Sequence, residues 1–105
     1  MTVNIKARNI ELTSSLEFYI HQKIGALRRF IKPWEDQGAV HMDFEVARTS
    51  RHHHKGKEVY YAEANMVING VIVRVTQYSD DLRKAIDFVK NTLRRVINKY
   101  KPDHR

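Results

Sequence analysis

The chain has 105 residues, 42% hydrophobic and 30% charged, enough for one modest core, too few for two, and too apolar for a disordered segment. Lys and Arg number 19 against 12 acids, a net charge of +7 with neutral His and a pI of about 9.9, which favours nucleic acid first and an anionic membrane surface second. Cysteine is absent, no apolar run approaches the roughly 20 residues of a membrane span, and the opening residues lack the basic-then-apolar order of a signal peptide, so one cytoplasmic domain over residues 1–105 is expected.

Val3, Ile5 and Ala7 alternate with Asn4, Lys6 and Arg8, the period-two pattern of a strand whose odd residues face the core. After Glu11 and Leu12, Thr13 or Ser14 can cap a helix, and Ser14 with Glu17 has capping-box spacing. Leu16, Ile20, Ile24, Leu27 and Ile31 form its apolar stripe, flanked by Tyr19 and Phe30, with His21, Arg28, Arg29 and Lys32 on the opposite side. Pro33 is expected to end the helix, because an interior proline lacks the N–H that the ladder needs.

Val40, Met42, Phe44 and Val46 alternate with His41, Asp43, Glu45 and Ala47, giving a half-buried strand, and a polar loop from Arg48 to Lys57 follows. The runs Glu58 to Ile68 and Val71 to Tyr78 are separated by Asn69-Gly70, whose tolerance of positive φ suits a type I′ hairpin turn. Placing Ile68 opposite Val71 pairs Met66 with Val73, Ala64 with Val75 and Ala62 with Gln77 on one apolar face. The other face carries Asn65 with Arg74, Glu63 with Thr76, and Tyr61 with Tyr78, and is expected to be wet or covered by a partner.

From Ser79 to Arg105 the chain reads as a capped amphipathic helix. Leu82, Ala85, Ile86, Val89, Leu93, Val96, Ile97 and Tyr100 recur every three or four residues, one stripe at about 100° per residue. Arg83, Lys90, Arg94 and Lys101 run down one flank and Lys84, Arg95 and Lys99 down the other, with Asp87 the sole acid between Arg83 and Lys101. The order β-α-β-β-β-α defines an α+β fold in which two helices cover one face of a four-stranded, mostly antiparallel sheet.

A helix that merely solvates itself intersperses acids with bases, whereas this one offers a row of cations suited to a large anion. Arg28, Arg29 and Lys32 extend the patch if the two helices pack side by side. The loop holds Arg48, Arg51, Lys55 and Lys57, the run His52, His53 and His54, and no acid; it can reach phosphates or stack on bases, or it is simply a polar hairpin loop. Three consecutive histidines with no Cys and no nearby carboxylate lack zinc-site spacing, so no metal is expected. Without a Gly-rich phosphate loop, nucleophile elbow, His-Glu-x-x-His helix or thiol, no enzyme, cofactor or small-molecule substrate is expected either. Trp34 and Phe18 read as aromatics at the edge of the core rather than base-stacking platforms.

Four pieces in order carry a resemblance over essentially the whole chain. They are residues 7–13 (Ala-Arg-Asn-Ile-Glu-Leu-Thr) entering the first helix, residues 59–65 (Val-Tyr-Tyr-Ala-Glu-Ala-Asn), Asp81 with Ala85, Ile86 and Asp87, and the closing Asn98 to Lys101. On this topology the chain resembles the ribosome hibernation-promoting factor family, also called ribosome-associated inhibitor or, in older usage, sigma-factor modulation protein. The resemblance implies a fold similar to a double-stranded-RNA-binding domain. It also implies a protein that silences translation by occupying the messenger and transfer RNA channel of the small ribosomal subunit, its cations meeting ribosomal RNA phosphates. Carried over by position, the contacts are Arg83, Lys90, Arg94, Arg95 and Lys101 on the last helix and Arg28, Arg29 and Lys32 on the first. Arg8, Arg48, Arg51, Lys55 and Arg74 are second-tier contacts from the sheet and its loop. The chain resembles the short type, which works with a separate ribosome modulation factor. Two other readings stand beside it. A general double-stranded-RNA-binding module would bind any A-form duplex alike, and an RNA-processing enzyme would lose turnover on substitution of His52, His53 or His54.

Overall fold

The computed structural model describes residues 1–36, 40–49, 59–68 and 70–99. Period-two alternation builds four strands, β1 (Thr2–Arg8), β2 (Val40–Thr49), β3 (Val59–Ile68) and β4 (Val71–Ser79), in one sheet of order β1-β2-β3-β4. β1 runs parallel to β2, and β2 with β3 and β3 with β4 are antiparallel, so the sheet is mixed with one parallel pair. Every cross-strand pair read from the Asn69-Gly70 turn is present, from Ile68 beside Val71 to Tyr61 beside Tyr78. Asn69 lies outside the described residues, and Gly70 has φ of 83°, a value a Cβ would strain. Arg48 and Thr49, expected in the loop, extend β2 by pairing with Tyr60 and Val59.

Helical cover lies on one face. Thr13 is the cap: it is extended (φ −73°, ψ 162°) and its hydroxyl accepts from the Leu16 N–H at 3.1 Å, so Ser14 is the first helical residue and the Ser14–Glu17 box is not the device used. The single helix expected here is two, α1 (Ser14–Gly25) and α2 (Arg28–Glu35). Between them the turn tightens: the N–H of Leu27 donates to the Ile24 carbonyl and that of Phe30 to the Leu27 carbonyl, each three residues back at 2.9 Å. Ala26 and Leu27 keep right-handed helical angles, so Leu16, Ile20, Ile24, Leu27 and Ile31 all remain buried in one stripe.

Pro33 does not end the helix. It lies inside α2, where the chain closes around its ring by donation from the Asp36 N–H to the Lys32 carbonyl at 2.9 Å, at the loss of one ladder bond to Arg29. The two aromatics depart from the core edge in opposite senses. Trp34 is buried in the core, whereas Phe18 is 66% exposed, because 200° of helical rotation from Leu16 turns it away from the sheet.

α3 (Leu82–Lys99) lies across β3 and β4 and beside α1 and α2. Its buried side chains, Ala85, Ile86, Val89, Leu93 and Ile97, meet a sheet face of Met42, Phe44, Val46, Ala62, Ala64, Met66, Val73 and Val75. Among the described residues no polar or charged residue is buried and no buried side-chain polar atom lacks a partner.

Candidate nucleic-acid interface

The rotation of α3 is set at its start and along its length. Asp81 accepts from the N–H groups of Arg83 (2.9 Å) and Lys84 (3.3 Å), satisfying two donors of the first turn, and the buried stripe then fixes which residues look sideways. Arg83, Asp87 and Arg94 thereby face the neighbouring helices across a seam.

Two aromatic rings organise that seam. The Tyr19 hydroxyl donates to Asp87 Oδ1 at 2.7 Å, and Lys23 Nζ stands 3.5 Å from the same oxygen. Lys23 Nζ lies 5.3 Å from the centroid of the Tyr19 ring and the Arg83 guanidinium 4.6 Å from it. Farther along, Phe30 is bracketed in the same way by Arg29 of its own helix at 4.8 Å and Arg94 of α3 at 5.2 Å. Each ring thus holds one cation from either side, an interaction worth about 0.5–1 kcal/mol at an exposed site. Burial first, then the bond to Asp87, push the Tyr19 hydroxyl up to about 12.

Electrostatic neutralisation separates the expected contacts into groups. Arg29, Arg83, Lys90 and Arg94 have no carboxylate partner among the described residues, and the 100° spacing puts Lys90 on the same side of α3 as Arg83 and Arg94. Arg28 and Lys32 are partly occupied: Arg28 Nε is 3.4 Å from Glu35, and Lys32 Nζ is 2.9 Å from Asp36, whose hydrogen bond raises the Lys32 pKa. Glu35 also accepts from the amino terminus of Met1, which is the main cause holding its carboxyl below the usual range. Arg95 reaches Thr92 Oγ1 at 3.3 Å and, with Lys84, lies outside the seam on the back of α3.

Of the second-tier residues, Arg8 and Arg74 stand on the opposite face of the sheet. Arg8 Nε is 2.6 Å from Glu45 Oε2; Arg74 Nε is 2.6 Å from Asn65 Oδ1 and 3.4 Å from Glu63 Oε2. Glu63 further accepts from Asn65 and from the Tyr61 hydroxyl, and this bond, after burial, raises the Tyr61 pKa. Arg8 and Arg48 help line an open cavity of about 290 Å³ beside Tyr61 and Tyr78. Carboxylates share this face with the cations. Arg51, Lys55, Lys101 and the histidines 52–54 lie outside the described residues. Lys23, which the sequence reading passed over, belongs to the seam; its four-residue spacing from Tyr19 was the available signal.

Fold and surface together define a two-layer α+β domain with a cationic, aromatic-supported helical face. The chain belongs to the Sigma 54 modulation protein / S30EA ribosomal protein family, whose model matches residues 3–105. It is 29% identical to the ribosome hibernation promotion factor of Picosynechococcus sp. over 101 residues, 96% of this chain and 49% of that protein. It is likewise 29% identical to the Bacillus subtilis protein of the same name over 102 residues, again 96% and 49%. The chain spans about half the length of these relatives. The same fold occurs in the N-terminal domain of Thermus thermophilus Protein Y, at 20% identity and a TM-score of 0.72 over 96% of this chain and 100% of that one. It occurs too in a ribosomal subunit interface protein of Coxiella burnetii, at 17% identity and a TM-score of 0.75 over 98% and 100%.

Proposed function

We propose that this chain is a ribosome hibernation factor that lays the seam between α1, α2 and α3 on ribosomal RNA of the small subunit, in the channel used by messenger and transfer RNA, and so blocks translation by occupancy. The observation that carries this reading is the row Arg29, Arg83, Lys90 and Arg94, unpaired with acids among the described residues and held in part by Tyr19 and Phe30. Family membership and the names of its relatives supply the ribosome as the anionic partner. Such a surface meets phosphates rather than base edges, and A-form RNA is read largely by shape and backbone. Catalysis has no part in this reading.

Co-sedimentation with vacant small subunits, with messenger and initiator transfer RNA as competitors, tests it. Saturable one-to-one binding that both ligands displace is the expected result. The variant Arg83→Gln, Lys90→Gln, Arg94→Gln is expected to stay folded by circular dichroism, to bind more weakly, and to flatten the slope of log affinity against log salt by about 2–3. Equal binding to any RNA duplex would instead make the chain a general double-stranded-RNA module, and an unaltered salt slope would move the interface off the seam.

A further inference from the structure

Four of the five large apolar side chains exposed among the described residues belong to β4 and α3: Val71 (40%), Ile72 (70%) and Tyr78 (51%) on β4, with Ile72 and Tyr78 on the open face of the sheet, and Phe88 (45%) on α3. β4 is also an outer strand of the sheet, and its register tells which backbone groups are unused. In a two-residue hairpin Ile68 and Val71 exchange both hydrogen bonds, as do Met66 with Val73 and Ala64 with Val75 by alternation. Ile72, Arg74, Thr76 and Tyr78 therefore aim their N–H and C=O groups away from the sheet, where the Tyr78 carbonyl accepts from the Gln77 side chain at 2.8 Å. The devices that usually blunt an edge are missing, for the nine residues of β4 contain no proline and one charge, Arg74, and pair without a bulge.

α3 packs over β3 and β4, the strands next to this edge. Its Arg83, Asp87 and Arg94 side turns toward α1 and α2, so the helical spacing places Lys84, Phe88, Arg95 and Lys99 on the side turned from them. None of these three cations has a carboxylate partner among the described residues.

We propose that the outer edge of β4 accepts an extended acidic peptide segment of another protein, which joins the sheet as an added antiparallel strand. Main-chain bonds to Ile72, Arg74, Thr76 and Tyr78 supply the affinity, and they require a peptide backbone, which excludes RNA as the occupant. Alternate side chains supply selectivity: those on the helical side meet Lys84, Arg95 and Lys99 and select carboxylates, while those on the open side lie beside Ile72 and Tyr78 and select apolar groups. A second copy of the chain fits badly, because symmetric pairing of two β4 edges would bring these cations together in molecules that each carry +7.

The probe is a short N-acetylated, C-amidated peptide of alternating glutamate and valine, titrated into the isotope-labelled chain with a lysine–valine peptide as control. Saturable binding is expected, with slowed hydrogen exchange at the amides of Ile72, Arg74, Thr76 and Tyr78. Thr76→Pro removes an N–H that points outward rather than into the β3 ladder, and is expected to weaken binding at least about tenfold. Lys84→Glu with Arg95→Glu leaves the backbone alone and keeps the proposal testable if the proline variant does not fold; it is expected to reverse the preference between the two peptides. No saturation, protection along the α1–α3 seam instead of β4, indifference to both variants, or self-association that protects the same amides without peptide would each overturn the proposal.

Discussion

Tyr19 ties the seam to the acid–base state of its own hydroxyl. Its hydroxyl is a donor to Asp87 only while protonated, and its pKa stands at about 12 against an ordinary 10.0. The sign follows from linkage: a group whose folded pKa is raised contributes its stability in full below the unfolded value, and that contribution fades as pH rises from 10.0 through about 12. Asp87→Asn is expected to bring the Tyr19 titration down from about 12 while burial keeps it above 10.0, read as the absorbance difference between chains with and without Tyr19→Phe. An unmoved titration would mean that burial alone raises it. The substitution also frees Lys23 from its 3.5 Å contact, adding one unpaired cation to the seam, so tighter RNA binding at low salt is the companion outcome.

At the scale of elements, the caps decide where helices start. Asp81→Ala leaves the N–H groups of Arg83 and Lys84 without their acceptor and is expected to cost about 1 kcal/mol, measured as a lower midpoint in thermal unfolding. Elements of this kind were legible in the residues: the alternation of β1 to β4, the register from Asn69-Gly70 and the stripe of α3 follow from period alone. The break between α1 and α2 was not, because the stripe Leu16 to Ile31 stays in phase through a tightened turn and periodicity cannot see a change of hydrogen-bond partner. Pro33 misled for a related reason; the rule against interior proline counts one lost bond, and the buried Ile31 and Trp34 on either side hold α2 together through it. Charge rows were visible, but whether an Arg has a Glu beside it depends on strand pairing and side-chain reach, which is why the partners of Arg8 and Arg74, Glu45 and Glu63, were not legible.

The whole molecule has two unlike faces. One is the helical seam, whose Arg29, Arg83, Lys90 and Arg94 have no carboxylate partner among the described residues; the other is the open side of the sheet, where Arg8 and Arg74 are matched by Glu45 and Glu63. Arg94→Gln is therefore expected to weaken binding to small subunits more than Arg74→Gln at the same salt concentration, and equal losses in co-sedimentation would put both faces in contact with RNA. The parallel pairing of β1 with β2 has a consequence in time. Thr2 stands beside His41, so β1 waits for about 40 more residues, some 2–8 s at about 5–20 residues per second, before its partner exists. Through that interval the stripe of α1 and α2 has no complete sheet to cover, while β3 and β4 need only a tight turn to find each other. β1 thus has no strand to pair with until β2 is made, and the nascent chain is most exposed to wrong partners before β2 emerges.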